Sequence, residues 1–467
     1  MKKLLTLAGV ALLCIAAGAQ NGGITPSMLE QISKGWAGTP ADKALRNAVG
    51  QAPLNTLAIN SENAAMIGTD FSDRVGTIGI TDQKSSGRCW LFSGLNVLRA
   101  AAIKKWNLGN FQFSQNYSFF WDQLEKSNLF LQAIIDTRDK PLEDREVDWL
   151  LSHPIGDGGT FTGVANLVTK YGLVPADVMP ETAVAGSTAQ MRAHLATLLR
   201  QDALKLRSIA QEAAVSSLKG AKGRKAAEAL EARLQKEKTA MLTDVYHVLA
   251  LCLGVPPTEF EWKGRTVTPL QFYKDLLGYD LEGGYVMLMN DPTREYGKVY
   301  EIQYDRHMYD GQNWVYVNLP IERIKEMAVA SIKADVAMYF SCDVGKFLDR
   351  KKGVADLANF DYESLLGVDF TMDKRERIIT HASGSSHAMT LIAVDLVEGK
   401  PVKWMVENSW GAASGYQGNI IMTDEWFDEY MFRLVVEKRF VPADVLAMLQ
   451  HEPIMLPAWD PMFLPED

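Results

Sequence analysis

Apolar and polar positions follow two periods along this chain, and the change from one to the other divides it. From Cys89 to Trp106 apolar residues recur at helical spacing with few charges, which predicts a buried helix. Phe113 to Ile135 repeats the pattern with many aromatics. A third helix is expected to end at Lys170-Tyr171, where Gly172 suits a helix C-terminus. Between about Met191 and Gly254 the text shifts to Ala, Leu, Lys, Arg, Glu and Gln, all good helix formers, with one break at Gly220 to Gly223. Two long polar-faced helices are expected there, projecting from the core as an insertion. Lys and Arg outnumber Asp and Glu along them, which is a solvated face by default and a partner surface otherwise. From Leu281 to Phe340 strands and helices alternate. The last hundred residues turn to β pattern: Ala388–Leu396 and Val402–Glu407 are apolar and β-branched, joined by the turn signal Glu398-Gly399-Lys400-Pro401. Gly415 to Gly418 makes a further turn before Asn419–Met422. No internal repeat is visible.

The first twenty residues read differently. Lys2 and Lys3 precede an apolar run from Leu4 to Ala17, and Ala17-Gly18-Ala19 forms an A-x-A site before Gln20. The run is too short to span a membrane comfortably, and no later stretch is long and apolar enough. A cleavable signal peptide over 1–19 is therefore expected, rather than a buried N-terminal helix. Leu13 stands before Cys14 where a lipidation site would want a small residue. At 467 residues, 47% hydrophobic and 22% charged, the chain can build a sizeable core. It holds 48 basic and 57 acidic residues, a formal net charge of −9, and losing Lys2 and Lys3 makes it more acidic still. Such a balance repels phosphate backbones, so nucleic acid is not an expected partner. Beyond the leader there remain Cys89, Cys252 and Cys342. One bridge between Cys252 and Cys342 is possible in an oxidising compartment, but two buried thiols fit their apolar contexts better.

Candidate chemistry starts at Gln83-Lys84-Ser85-Ser86-Gly87-Arg88-Cys89-Trp90. Ser85 or Ser86 is expected to cap the helix that begins near Cys89. A thiol at a helix N-terminus faces unpaired N–H groups and the positive end of the dipole, both of which favour thiolate. A lone cysteine there is more often a small buried hydrophobe. Its partners change that weighting. The Gln83 side-chain amide, on a turn-like approach, can join the Cys89 N–H as donors to a developing oxyanion. His387 and Asn408 sit at the start and end of two consecutive strands joined by a tight turn, so an antiparallel pairing makes them neighbours to within a residue or two of register. Asn408 would then accept from one imidazole nitrogen and leave the other for the thiol. Trp410 would shield that bond from water. The seven histidines show no metal-ligand spacing, and no metal or cofactor is expected.

Gln83, Cys89-Trp90, Ser386-His387-Ala388 and Glu407-Asn408-Ser409-Trp410-Gly411 resemble the papain superfamily of cysteine peptidases. More closely, the chain is similar to its bleomycin hydrolase and aminopeptidase C branch, at Asp82–Phe92, Ser114–Asp122, Ala330–Ile332 with Cys342–Lys346, Met422–Tyr430 and Glu452–Met462. Two departures stand out. Ser86 occupies the position where secreted papains carry a disulfide cysteine. His387 also lies far beyond the roughly 130–150 residues that separate nucleophile and histidine in papain itself, a gap that the helical insertion fills. The resemblance implies an α+β, papain-like two-lobed fold, a helical lobe plus an antiparallel β lobe, with a large helical insertion. It implies Cys89 as nucleophile, His387 as proton shuttle, Asn408 as its orienter, Gln83 with the Cys89 N–H as oxyanion hole, and short peptides as substrates. It further implies a homohexamer with the insertion as one contact surface.

In this branch the C-terminus is expected to lie along the cleft and dock the substrate's amino end. Here the chain closes on Phe463-Leu464-Pro465-Glu466-Asp467, without the expected small residues. Asp467 and its neighbours are either a frayed acidic terminus or a blocker that pairs with a substrate ammonium. The expected organisation is signal peptide 1–19, N-terminal arm 20–60, helical catalytic lobe 61–185, insertion 186–365, β lobe 366–455 and tail 456–467. The expected function is a cysteine aminopeptidase, exported to the periplasm or exterior of a bacterium without stable membrane insertion. The alternatives are an endopeptidase whose altered tail leaves the cleft open, and a non-catalytic scaffold or nucleic-acid-binding ring, against which the acidic charge and the intact Gln-Cys-His-Asn set both argue.

Overall fold

A computed structural model describes residues 22–63, 67–214 and 220–463, with the side chains at 213, 214, 220 and 221 excepted. The signal-peptide segment and Asp467 lie outside these residues. The chain forms two compact units, one of residues up to Ile59 together with Asp361–Val368, the other of the remainder. The small unit is helical. Thr25 caps Pro26–Ser33, and Thr39 with Asp42 forms a capping box on Pro40–Val49. Leu29, Ile32 and Trp36 stay exposed on it.

In the large unit the helical periods become α1 (Cys89–Trp106), α2 (Gln115–Asp136), α3 (Phe161–Tyr171), α4 (Ala189–Ala214) and α5 (Gly220–Leu253). α1 is buried almost all round, as its apolar sequence requires. It ends at Asn107, which takes a left-handed φ of 50° and returns its N–H to Ile103. Its start differs from expectation. Arg88 holds the N-cap position without a side-chain cap, because the Ser86 hydroxyl is already spent on the Gln83 carbonyl and on Arg88 Nε.

The strands that position the site are β1 (Tyr285–Met289), β2 (Lys298–Ile302), β3 (Val315–Asn318), β4 (Met338–Cys342), β5 (His387–Val397), β6 (Lys400–Glu407), β7 (Asn419–Thr423), β8 (Met431–Glu437) and β9 (Ile454–Leu456). Among the described residues they belong to one 12-stranded sheet, in the order β9-β2-β3-β1-β8-β4-β5-β6-β7, extended by 354–355 and 348–349. The pairing is mostly antiparallel, with β1–β3, β2–β9 and β7 with 354–355 parallel. Strands from the expected insertion 186–365 take part in this sheet. The segment 186–365 contributes strands as well as helices, and its strand β4 pairs directly with β5, which opens at His387.

α1 packs on one face of β5, where Thr390 donates to the Ser93 carbonyl at 3.3 Å. Ile324, Met327, Ala328 and Ile332 of the helix Ile321–Lys333, with Trp426 and Phe427, share a core cluster with Leu391, Trp404 and Val406. Each fully buried side chain of this size contributes roughly 1.5–3 kcal/mol, so the centre of the sheet is a rigid floor. The β5–β6 turn is tight because Glu398 and Gly399 both take positive φ, 51° and 79°. No described helix is long and apolar enough to cross a membrane. Cys252, on α5, and Cys342, on β4, form no disulfide; Cys342 is buried and Cys252 half-buried.

Candidate active site

Cys89 opens α1 fully buried, and its sulfur accepts the backbone N–H of Ala388 at 3.4 Å. That contact sets the thiol against the first turn of β5, beside His387. Both chain neighbours of Cys89 are held by their own contacts. Arg88 turns away and pairs bidentately with Glu181 at 3.0 and 2.7 Å while lying over the rings of Phe92 and Phe119. On the other side, Trp90 donates its indole N–H to the Asp157 carbonyl at 2.7 Å.

His387 is 3% exposed, and its Nε2 lies 2.8 Å from Asn408 Oδ1. The same oxygen accepts the Ser409 N–H at 2.8 Å, so the side-chain amide is oriented with its oxygen toward the ring. A carbonyl oxygen only accepts, so the proton of this bond sits on Nε2. The hairpin register explains the geometry. Thr390 pairs with Glu407, two residues away from direct opposition of His387 and Asn408, with a bulge between Leu391 and Ala393. The pair meets diagonally across the strand ends, beyond the last ladder rung. The Trp410 ring lies 4.8 Å from that of His387, tilted by 32°, with Arg350 over its other surroundings at 4.9 Å from the centroid.

Gln83 is tied to the same segment. Its N–H donates to the Ser409 carbonyl at 2.8 Å, and its Oε1 accepts the Ser409 hydroxyl at 2.6 Å. Its Nε2 donates to the Ser86 carbonyl at 2.7 Å, which uses one of two amide hydrogens. Gly411 N–H to the Thr81 carbonyl at 3.0 Å completes the stitch. The loop before the nucleophile and the segment 408–411 therefore move as one body.

The structure thus gathers Gln83, Cys89, His387, Asn408 and Trp410: His387 touches Asn408 and Trp410 directly, Cys89 meets the backbone N–H of Ala388, and Gln83 is held by Ser409. Three supporting elements escape sequence reasoning. Ser409 orients both Gln83 and Asn408. The Arg88–Glu181 fork anchors the approach loop. Arg99 on α1 meets Glu407, the residue before Asn408, at 2.5 Å with both side chains buried. Burial pushes the Arg99 guanidinium down and the Glu407 carboxyl up, and the attraction between them opposes both shifts. The only sequence signal for this pair is an arginine inside an apolar helix, which demands a partner.

A cavity of about 370 Å³ opens beside the loop that receives Trp90. Gly158, Gly159 and Thr160 form one wall, with Trp149 and Phe463 opposite in the lining. The Phe463 and Trp149 rings lie 5.5 Å apart. Phe463 is the last described residue, so the expectation for Asp467 falls beyond the described chain. Among the described residues no group of three His, Cys, Asp or Glu side chains is disposed to hold a metal ion.

The model of the Peptidase C1-like family matches residues 23–463. Bleomycin hydrolase of Mus musculus is 40% identical over 403 residues, covering 82% of this chain and 85% of that protein. Aminopeptidase C of Lactobacillus delbrueckii subsp. lactis is 36% identical over 440 residues, covering 91% and 93%. The crystal structure of PepW from Lactobacillus rhamnosis HN001 superposes with a TM-score of 0.88 at 35% identity, over 95% of this chain and 99% of that one.

Proposed function

The chain belongs to the Peptidase C1-like family and is a cysteine aminopeptidase with an α+β, papain-like fold, and we propose that Cys89 is its nucleophile and His387 its proton shuttle. With Nε2 bonded to Asn408, the thiol proton passes to Nδ1 of His387. The thiolate then attacks the scissile carbonyl carbon. The second Nε2–H of Gln83 and the Cys89 N–H receive the developing oxyanion. His387 returns the proton to the leaving amine as the C–N bond breaks, leaving a thioester that water hydrolyses by the reverse proton path. Asn408 fixes the imidazole tautomer, and Trp410 covers the bond between them. The observation that carries this reading is the shared contact set: Ala388 N–H on the Cys89 sulfur, Asn408 on His387, and Ser409 on Gln83.

Free-amino dipeptide amides should turn over much faster than the same peptides with a blocked N-terminus, and Cys89→Ala should remove hydrolysis while leaving the melting profile unchanged. Fast cleavage of a blocked internal bond would favour the endopeptidase reading, and retained turnover in Cys89→Ala would overturn the nucleophile.

The tail after Met462 is proposed to limit the cleft to a free amino end, with Asp467 near the substrate ammonium. Supporting this is the position of Phe463 in the cavity wall. The chain is proposed to assemble as a homohexamer, for which the exposed Leu204, Leu251 and Val255 of the insertion are suitable contacts. The sequence of residues 1–19 supports export and cleavage after Ala19. A periplasmic or secreted chain whose mature N-terminus is Gln20, found by N-terminal sequencing, would bear this out, and a cytoplasmic full-length chain would refute it.

A further inference from the structure

A cation that the proposed mechanism leaves unused stands beside the His387 imidazole. The Trp410 indole has the His387 ring 4.8 Å from its centre and the guanidinium carbon of Arg350 4.9 Å from it. Arg350 is exposed, and its guanidinium forms no ion pair or hydrogen bond among the described residues. The carboxylates of the neighbouring segments are committed elsewhere. Asp349 accepts the N–H groups of Lys351 and Lys352 at 3.0 and 3.1 Å. Asp82, whose backbone bridges to Trp410, pairs with Lys84 at 2.6 Å. Asp343, one residue past the rung that joins Cys342 to His387, accepts the Ser383 hydroxyl at 2.7 Å. In a chain of net charge −9, Arg350-Lys351-Lys352 is thus a run of exposed positive charge. The backbone beneath it is fixed. Gly353 N–H donates to the Asp349 carbonyl and Gly353 C=O accepts from Ile421 of β7, both at 2.8 Å. Gly353 takes a φ of 70°, and a Cβ there would fall 2.2 Å from Tyr416 N.

Hydrated surface cations are common, and position sets this one apart. His387 returns its proton to the leaving amine, so the departing part of the substrate begins at this ring. The cavity that Phe463 enters is lined by neither Trp410 nor Arg350, so the two ends of a substrate meet different walls. Sharing one indole, the imidazole and the guanidinium are at most about 10 Å apart. In a dipeptide the leaving nitrogen and the terminal carboxylate carbon belong to one residue, two bonds and about 2.5 Å apart. With a hydrogen bond of about 3 Å at either end, that residue bridges the two groups. Each further residue carries the carboxylate up to about 3.6 Å onward. A tripeptide therefore reaches the guanidinium only when bent, and the carboxylate of a pentapeptide overshoots it.

We propose that Arg350, stacked on Trp410, binds the terminal carboxylate of the leaving residue and so makes dipeptides the favoured substrates, tripeptides the next, and longer peptides unassisted. This rests on the active-site reading above. The guanidinium fork matches a carboxylate with two parallel N–H···O bonds, which an ammonium cannot reproduce. Because the site is open to water, the contact is screened by salt.

The test uses the full chain and two substrate pairs at low ionic strength: the dipeptide Leu-Ala with its C-terminal amide, and the pentapeptide Leu-Ala-Ala-Ala-Ala with its amide. The quantity read is the acid-to-amide ratio of kcat/KM. Arg350→Gln should cut that ratio about tenfold for the dipeptide, chiefly through a higher KM for the acid, with the thermal midpoint unchanged. Arg350→Lys, which keeps the charge but not the fork, should cut it by a smaller factor, about threefold. The pentapeptide ratio should stay within about twofold in both variants, and high salt should shrink the wild-type dipeptide ratio. An unchanged dipeptide ratio in Arg350→Gln would overturn the proposal. An equal loss on acid and amide would do so too, since Arg350 would then only support Trp410. A pentapeptide ratio that falls as far as the dipeptide ratio would replace contact by a long-range field and likewise defeat it. Failure of the underlying reading looks different: Cys89→Ala would go on hydrolysing both the dipeptide and its amide.

Discussion

The oxygen of Asn408 accepts from His387 Nε2 and from the Ser409 N–H, and the Ser409 hydroxyl in turn holds Gln83 Oε1. One residue without a part in the proposed mechanism therefore orients two to which that mechanism gives one. Gln83→Ala removes a single oxyanion donor and should lower kcat about 10²- to 10³-fold with little change in KM. Ser409→Ala leaves the donor in place but frees its amide to turn, so kcat should fall by a smaller factor, about tenfold, and Ser409→Thr should restore most of it. An equal loss in both variants would mean that Gln83 acts through loop rigidity rather than as a donor. Steady-state kinetics on one free-amino substrate separates these outcomes. Gln83, Cys89, His387 and Asn408 are legible in the sequence because each has a distinctive residue type at a turn or strand end, and a tight hairpin makes two of them neighbours. Ser409 and the Arg99–Glu407 pair are not, since their contacts join segments more than 300 residues apart and leave no local period.

At the scale of elements, boundaries drawn from periodicity hold where one face or the whole surface is buried, as in α1, and at turns fixed by positive φ, as between β5 and β6. They miss where tertiary partners decide. The β5–β6 turn centres on Glu398-Gly399, which leaves Asn408 two residues from direct opposition to His387, and competing partners for Ser86 displace the helix cap. The strands β1–β4 join the main sheet through long-range ladders that no local pattern announces. The two long helices show what this costs. Asp202 on α4 faces α5 with its Oδ2 buried and without a hydrogen-bond partner among the described residues. Burial, reinforced by Asp244 against the opposing pull of Lys205, pushes its carboxyl up to about 6. The unfolded carboxyl titrates near 4, so the folded state holds the extra proton between these values. The cost of a charged Asp202 is absent below about pH 4, grows as pH rises through 6 and is complete at pH 7. Asp202→Asn should therefore raise stability at pH 7 by roughly 1 kcal/mol after allowing for solvent screening, with the gain vanishing by pH 4. Thermal midpoints of both proteins at pH 7.5 and pH 4 decide it, and a gain that persists in acid would place the strain elsewhere than in the charge.

For the whole molecule, the chain's last described turn is anchored far more firmly than a frayed terminus would be. β9 pairs with β2, Arg433 donates to the Met462 carbonyl at 2.6 Å, and Met462 N–H reaches Asp460 Oδ1 at 2.9 Å. Asp460 and Asp291 both bind Arg294, which ties that turn to the end of β1. Phe463 donates its N–H to the Asp460 carbonyl at 2.9 Å, and its ring is in the wall of the cavity. Ending the chain after Met462 removes Phe463 from the cavity wall and spares the Arg433 and Asp460 contacts that hold Met462. If the tail limits the enzyme to a free amino end, the shortened protein should keep its thermal midpoint, cleave N-blocked peptides at least about tenfold faster, a gain of roughly 1.4 kcal/mol in transition-state binding, and lose preference for a free ammonium. Removing the two side-chain charges of the end, as Glu466→Gln/Asp467→Asn, should weaken the free-amino preference without opening the cleft, because bulk remains while only the terminal carboxylate keeps its charge. Should the shortened protein still reject blocked peptides, specificity for the amino end would have to come from the cavity wall itself.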